Sequence, residues 1–511
     1  RIMMIKVILL VIFFAVMVAV GIYSRKHAMS VDGFVLGGRS VGPWLTAFAY
    51  GTSYFSAVVF VGYAGQFGWK YGLASTWIGI GNAVIGSLMA WVVLGRRTKV
   101  MTQYLNSKTM PDFFGSRYGS KPLKIAASAI VFVFLVPYTA SIYNGLSRLF
   151  EMAFHIPYAW CVIGMAVFTG IYVILGGYMA TAINDFIQGI IMLVGIIVVI
   201  AAVLNGQGGF LEAVGKMAEI PSDVEITLGQ PGAFTSFFGP DPGNLLGVVI
   251  LTSLGTWGLP QMIGKFYAIK DEKSINTGTV ISTVFAIVVS GGCYFLGGFA
   301  RLFDAPAIYD EAGAVVYDSI IPHMLSALPD ILIGIVVVLV LSASMSTLAS
   351  LVLTSSSTLT LDFLKDNLLK EMSEKRQVRT MQVLVIFFIA VSVFIALDPP
   401  TFIAQLMGIS WGALAGAFLA PFLYGLYWKG TTRAGVWASF IVGVGITVVN
   451  MFMPFIESSI NAGAAAMVAG LIVVPVVSLI TPKLSREKTD AIFSCYEEKV
   501  TITKKRSLEQ N

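Results

Sequence analysis

Charge, cysteine and histidine are all scarce in this chain, and each scarcity closes a route. Only 12% of the 511 residues are charged against 57% hydrophobic, with a mean hydropathy of +0.83. A soluble globular domain carries about twice that share of charge. Cys161, Cys293 and Cys495 are scattered without a CxxC pair, so neither a disulfide framework nor a thiolate metal site is implied. His27, His155 and His323 fall near the ends of apolar runs or in loops, which argues against haem, zinc or a histidine proton relay at depth. Paired carboxylates within the apolar runs are lacking as well, so a membrane-embedded enzyme is disfavoured. No loop is long enough for a catalytic or sensory domain, and the tail 482–511 is too short for a signalling one.

Apolar sequence is what the chain has in excess. Runs long enough to cross a bilayer lie at 3–22, 44–66, 73–95, 123–152, 157–175, 180–204, 240–264, 275–301, 328–362, 380–397, 402–427, 434–454 and 462–481. They predict an all-α polytopic membrane protein with about 13 transmembrane helices. The first run is too long for a signal peptide and lacks a small-residue cleavage site. Alternate loops, with the tail, hold 27 of the 33 Lys and Arg residues, from Arg25, Lys26 and Arg39 to Lys504, Lys505 and Arg506. By the positive-inside rule the N-terminus is outside and the C-terminus cytoplasmic, in a plasma (inner) membrane. The net charge of +6 reflects this sorting and does not argue for nucleic acid. The 205–239 loop carries an amphipathic piece near Phe210–Ile220, and Pro111-Asp112-Phe113-Phe114 reads as a short interfacial helix.

Polar residues at membrane depth are few enough to weigh singly. Residues 341–350, Leu-Ser-Ala-Ser-Met-Ser-Thr-Leu-Ala-Ser, set Ala343, Ser346, Thr347 and Ser350 at i, i+3, i+4 and i+7 on one helix face. Hydroxyls there need partners, because hydrocarbon offers none. They suit a weakly held monovalent cation, or else they bond back along the helix and glue it to a neighbour. Asp185, in Ala182-Ile183-Asn184-Asp185-Phe186-Ile187-Gln188, is the acidic residue set well inside a span. It reads as a cation ligand or a protonatable coupling group, or as a structural hydrogen bond near a helix end. Two spans are interrupted near their middles: the second by Tyr50-Gly51-Thr52-Ser53-Tyr54-Phe55-Ser56, the seventh by Leu251 to Pro260 through Gly255 and Gly258. Interruptions in corresponding positions of two halves point to a midplane site of discontinuous helices, where loosened carbonyls meet cations and half-helix N-termini meet anions.

Several motifs in order then carry a resemblance. Gly37-Gly38-Arg39-Ser40, Gly176-Gly177 with Asn184-Asp185 and Gln188, and Gly258-Leu259-Pro260 are followed by Ser344-Met345-Ser346-Thr347-Leu348, Asp362 and Tyr424-Gly425-Leu426-Tyr427-Trp428. From about residue 33 to 450 the chain resembles the sodium/solute symporter family, and is most similar to its pantothenate and proline branch. The resemblance implies an inverted five-plus-five helix repeat of the leucine-transporter type. An extra first helix and linker would occupy 1–40, the repeats 41–204 and 240–427, and two added helices 428–481, with a cytoplasmic tail 482–511. It implies a sodium site made by the carbonyls of Thr52, Phe55 and Ala343 and the hydroxyls of Ser346 and Thr347. A second ion would use Asp185 and Ser350, but Ala349 stands where the two-sodium pattern has another hydroxyl, so one Na+ is favoured. Tyr54 replaces an aspartate of proline symporters, which weakens proline itself as the substrate.

Solute contacts are expected at Ser53, Tyr54 and Ser56, at Tyr138, at Thr252, Thr256 and Trp257, and at Gln405 and Trp411. The lining suits a small, mostly apolar molecule with a carboxylate, with no basic residue at midplane to pair it. The expected activity is sodium-coupled symport of an amino acid or a pantothenate-like monocarboxylate into the cell by alternating access. The alternative is a proton-coupled symporter of the same solutes using Asp185. Expected partners are the solute, sodium and the bilayer, without nucleic acid or an obligatory protein partner. A channel would need a more continuous polar lining than one hydroxyl strip and one aspartate.

Overall fold

A computed structural model describes residues 2–398 and 403–497, and every regular element among them is helical. Two helical stretches, Val58–Tyr104 and Tyr158–Gly206, run for 47 and 49 residues. At 1.5 Å per residue each would be about 70 Å long, more than twice a hydrocarbon core of about 30 Å. Both therefore have to turn back. Gly72 (φ +63°, ψ −141°) and Gly177 (φ +53°, ψ −142°) make the turns in nearly one conformation, which a Cβ would forbid. A Cβ on Gly177 would also lie 2.8 Å from the Phe34 carbonyl oxygen.

Divided at these glycines, the 11 long apolar stretches among the described residues become thirteen spans, as expected. They are α1 (Ile2–Tyr23), α2 (43–71), α3 (76–104), α4 (Lys121–Phe154), α5 (158–176), α6 (178–206) and α7 (Pro242–Ala268). Then follow α8 (Glu272–Gly297), α9 (Asp330–Leu368), α10 (Glu374–Leu397), α11 (Ile403–Tyr427), α12 (Arg433–Phe452) and α13 (Ser459–Ile480).

The two interruptions are real breaks of the same kind. In α2 the first half ends at Tyr54 and Phe55 turns extended (φ −79°, ψ +121°) before the helix resumes as a π-wound turn, Val58–Tyr63. In α7 a 3-10 turn, Gly255–Trp257, leads to extended Leu259 (φ −90°, ψ +122°) and then Pro260 restarts the helix. Pro suits that first position, since its missing N–H would be unpaired there anyway. The breaks lie five spans apart in chain order, an odd step, so α2 and α7 cross in opposite directions. The halves α2–α6 and α7–α11 are thus inverted with respect to each other.

Helix α9 is the axis of the molecule. Every residue from Leu339 to Leu353 is buried, on all faces. The outer helices expose apolar side chains instead, such as Ile12 of α1, Phe394 of α10, Ile441 of α12 and Ile480 of α13. One end of the bundle is basic and collects the short helices Val31–Leu36, Met110–Tyr118 and Arg486–Phe493. Thr109 caps Met110–Tyr118 by accepting from the Asp112 N–H at 3.2 Å, with Pro111 in the first turn, so the segment from Pro111 to Phe114 is a short helix, as read. At the opposite end the amphipathic piece is helix Phe210–Glu219.

Candidate functional site

The break in α2 leaves carbonyls of its last turn without helical partners, and α9 meets them with hydroxyls. Thr347 Oγ1 lies 3.1 Å from the Thr52 carbonyl oxygen, 3.1 Å from that of Phe55 and 3.0 Å from that of Ala343. Ser346 Oγ lies 3.1 Å from the Thr52 oxygen and 2.9 Å from the Ala343 oxygen. Two hydroxyls have two protons between them, so at most two of these five contacts are hydrogen bonds at any moment. The remaining lone pairs face one another in a fully buried place. Hard, neutral oxygens in surplus suit a small monovalent cation, and the five atoms brought together are those that the family resemblance implies.

Asp185 is wholly buried on α6, two turns from Gly177, and neither carboxylate oxygen has a hydrogen-bond partner. Thr52 lies beside it, but its hydroxyl donates to the Phe48 carbonyl at 2.8 Å. Ser350 and Ser53 hold each other at 3.2 Å, next to the five oxygens. The opposite charge acting on Asp185 is that of Lys265, in the second half of α7 and buried, with its ammonium 5.1 Å from the Tyr178 ring centroid. The apolar run of this span stops at 264, so hydropathy puts Lys265 in the loop that follows. The helix restarted by Pro260 takes it into its last turn, so a buried basic residue stands at the basic end of α7. Hydropathy could not reveal this; the spacing Gln261 to Lys265, one turn past a Pro restart, was the available signal.

The expected solute contacts divide into two groups. The Tyr138 hydroxyl lies beside Ser56 and Trp411, and its ring meets the Trp411 indole edge-on at 5.9 Å. These three come together at the α2 break. Thr256 Oγ1 instead reaches the Gly86 carbonyl at 3.0 Å and Trp257 Nε1 donates to the Ile85 carbonyl at 2.9 Å, tying α7 to α3. Thr252 bonds back to the Val248 carbonyl at 2.8 Å. Gln405 is half-buried at the start of α11. The Tyr54 side chain lies outside the described residues, though its backbone closes the first half of α2.

A cleft of about 480 Å³ runs from Ser350 toward the basic end. It passes Gln261, Lys265 and Ser357 and reaches Lys108 and Thr109. At its mouth the buried Asp362 accepts from Thr109 Oγ1 at 2.5 Å. Lys124 Nζ lies 2.6 Å from Asp366, 3.4 Å from Asp112 and 3.8 Å from Asp362.

A family model, the sodium:solute symporter family, matches residues 34–443. The chain belongs to that family. It is 30% identical over 500 residues to sodium/proline symporters of Staphylococcus aureus strains NCTC 8325 and N315, covering 94% of this chain and 93% of theirs. Among solved structures it is similar to a Na+-coupled sialic acid symporter in a substrate-bound outward-open state. That match has a TM-score of 0.76 at 14% identity, covering 94% of this chain and 99% of the other. A second is Mhp1, a nucleobase-cation-symport-1 family transporter, with a TM-score of 0.50, 14% identity and coverage of 90% and 98%. The symporter is therefore a multi-pass membrane transporter of the inverted-repeat fold, not an enzyme, and it couples movement of a small solute to sodium.

Proposed function

We propose that the protein carries one sodium ion per cycle at the oxygens of Thr52, Phe55, Ala343, Ser346 and Thr347, together with a small carboxylate-bearing solute held at the α2 break. What supports the ion assignment is the excess of acceptor oxygens over protons around Thr347. Sodium there would join α2 to α9 and order the loosened segment beside Ser56, Tyr138 and Trp411, which is positive coupling between two sites. The basic end faces the cytoplasm in this reading, so the 480 Å³ cleft is the inward path and Ser350 its inner start. An inside-negative potential drives sodium inward with about 2.3 kcal/mol per charge per 100 mV.

Relatives that are sodium/proline symporters put proline among the candidate solutes, beside other small amino acids, short monocarboxylates and pantothenate. Uptake of these labelled compounds into proteoliposomes, with and without an inward sodium gradient, decides between them. Sodium-dependent accumulation of one compound, lost in Ser346→Ala and Thr347→Ala, is expected. Accumulation that ignores sodium and follows a pH gradient would overturn the ion assignment in favour of proton coupling through Asp185.

A further inference from the structure

The pair Asp185 and Lys265 is left over by the sodium assignment. Both are buried within the membrane helices, on α6 and α7, and carry opposite charge. A buried carboxylate with no hydrogen bond at either oxygen stays ionised only with a cation close by. Lys265 carries the opposite charge that acts on it. In the present conformation the ammonium is not against the carboxylate; it sits over the Tyr178 ring, 5.1 Å from the centroid. Tyr178 and Asp185 are seven residues apart on α6, so they share one face with the ring a two-turn step toward the basic end. Between them stand Ala182, which is small, and Thr181, whose hydroxyl is turned back to the Tyr178 carbonyl at 2.7 Å.

There is also room for it to move. A Cβ placed on Gly264, the neighbour of Lys265, would meet no atom within 4 Å, and Lys265 itself lines the cleft that ends at Ser350. One turn earlier Gln261 is buried with both amide atoms unpartnered, so the polar surface beside the lysine is unfilled. A lysine stem is flexible and its head is a compact point charge.

We propose that Lys265 is a built-in counter-ion: its ammonium swings between the Tyr178 ring and Asp185 and takes the place there that a second sodium ion would need. The proposal rests on the one-sodium reading above and supplies the reason for it. Asp185 is neutralised by the protein itself, so that position adds no transported charge to the cycle.

Equilibrium binding of radioactive sodium to the purified full-length chain in nanodiscs, with sodium alone as the probe, tests this by ion count. The wild type is expected to bind one ion per chain, and Lys265→Arg one. Lys265→Met frees the carboxylate and is expected to bind two, and Lys265→Met with Asp185→Asn one again. Asp185→Asn in the wild-type background keeps the single ion, which tests the idea even if Lys265→Met does not fold. Two ions on the wild type, one ion on folded Lys265→Met, or loss of an ion in Asp185→Asn alone would each overturn the proposal. Thr347→Val reports separately on the five-oxygen cluster: if it keeps the wild-type ion, the one-sodium site is misplaced whatever Lys265 does.

Discussion

Thr347 concentrates the chemistry of the proposed sodium site in a single hydroxyl, which touches three carbonyls at 3.0–3.1 Å. Thr347→Val keeps the shape and removes the oxygen. Losing one such contact is worth about 1.5–3 kcal/mol, so sodium affinity should fall by about 10–100-fold. Thr347→Ser should stay within about threefold, and sodium-dependent thermal stabilisation measures both. A second residue of this kind is Lys124, whose ammonium stands between Asp112, Asp362 and Asp366. Asp362 is only 1% exposed. Lys124→Met strands that carboxylate and should cost about 3–5 kcal/mol, much of it recovered by adding Asp362→Asn. Thermal unfolding of the single and double variants checks the recovery.

At the scale of elements, the turns matter more than the spans. Gly177 sits at φ +53°, ψ −142°, with its Cβ position 2.8 Å from the Phe34 carbonyl. Gly177→Ala should therefore lower the folded yield and the melting temperature sharply, by the equivalent of about 2–3 kcal/mol or more. Gly164→Ala, within α5 where a Cβ meets nothing within 4 Å, should be neutral or stabilising by up to about 1 kcal/mol. A similar loss in both variants would mean that the φ constraint at Gly177 is not what turns the helix. The paired breaks in α2 and α7 were legible in the sequence because Gly, Ser, Thr and Pro interrupt otherwise apolar runs. The extended residues Phe55 and Leu259 that make the breaks carry no signature of their own.

Across the whole molecule, the C-terminal segment ties distant spans together at the basic end. The Arg97 guanidinium of α3 lies 4.0 Å from the Tyr427 ring centroid and 4.5 Å from that of Tyr496. The Tyr496 hydroxyl donates to the Leu426 carbonyl at 2.8 Å, so the tail bridges α3 and α11. A double-mutant cycle on Arg97→Ala and Tyr496→Ala should give a coupling of about 1 kcal/mol in thermal stability. A coupling near zero would make the stacked arrangement energetically idle. On the opposite face Arg301 pairs with Asp223 at 2.7 and 2.8 Å while its head stacks over Trp69, 4.1 Å from the ring centroid. That anchors the long loop after α6 to the end of α2.

By itself the sequence determined the membrane, the thirteen spans, the two broken helices and the hydroxyl strip of α9. These follow from composition and local periodicity, which each segment displays without reference to any other. The five oxygens around Thr347 were named by the family resemblance, while local spacing by itself gave only the hydroxyl face of α9, from Ala343 to Ser350, and the break in α2. Tertiary structure alone decided where the remaining polar groups point. Thr256 and Trp257 look like solute contacts in one dimension, yet they donate across to the carbonyls of Gly86 and Ile85 on α3, the first of which also accepts from the Tyr50 hydroxyl. Lys265 looks like a loop cation, yet the restart at Pro260 takes it into the last turn of α7, where its charge acts on Asp185, about eighty residues away in the chain. Which buried charge meets which depends on how helices pack in space, and no local pattern in the chain encodes that.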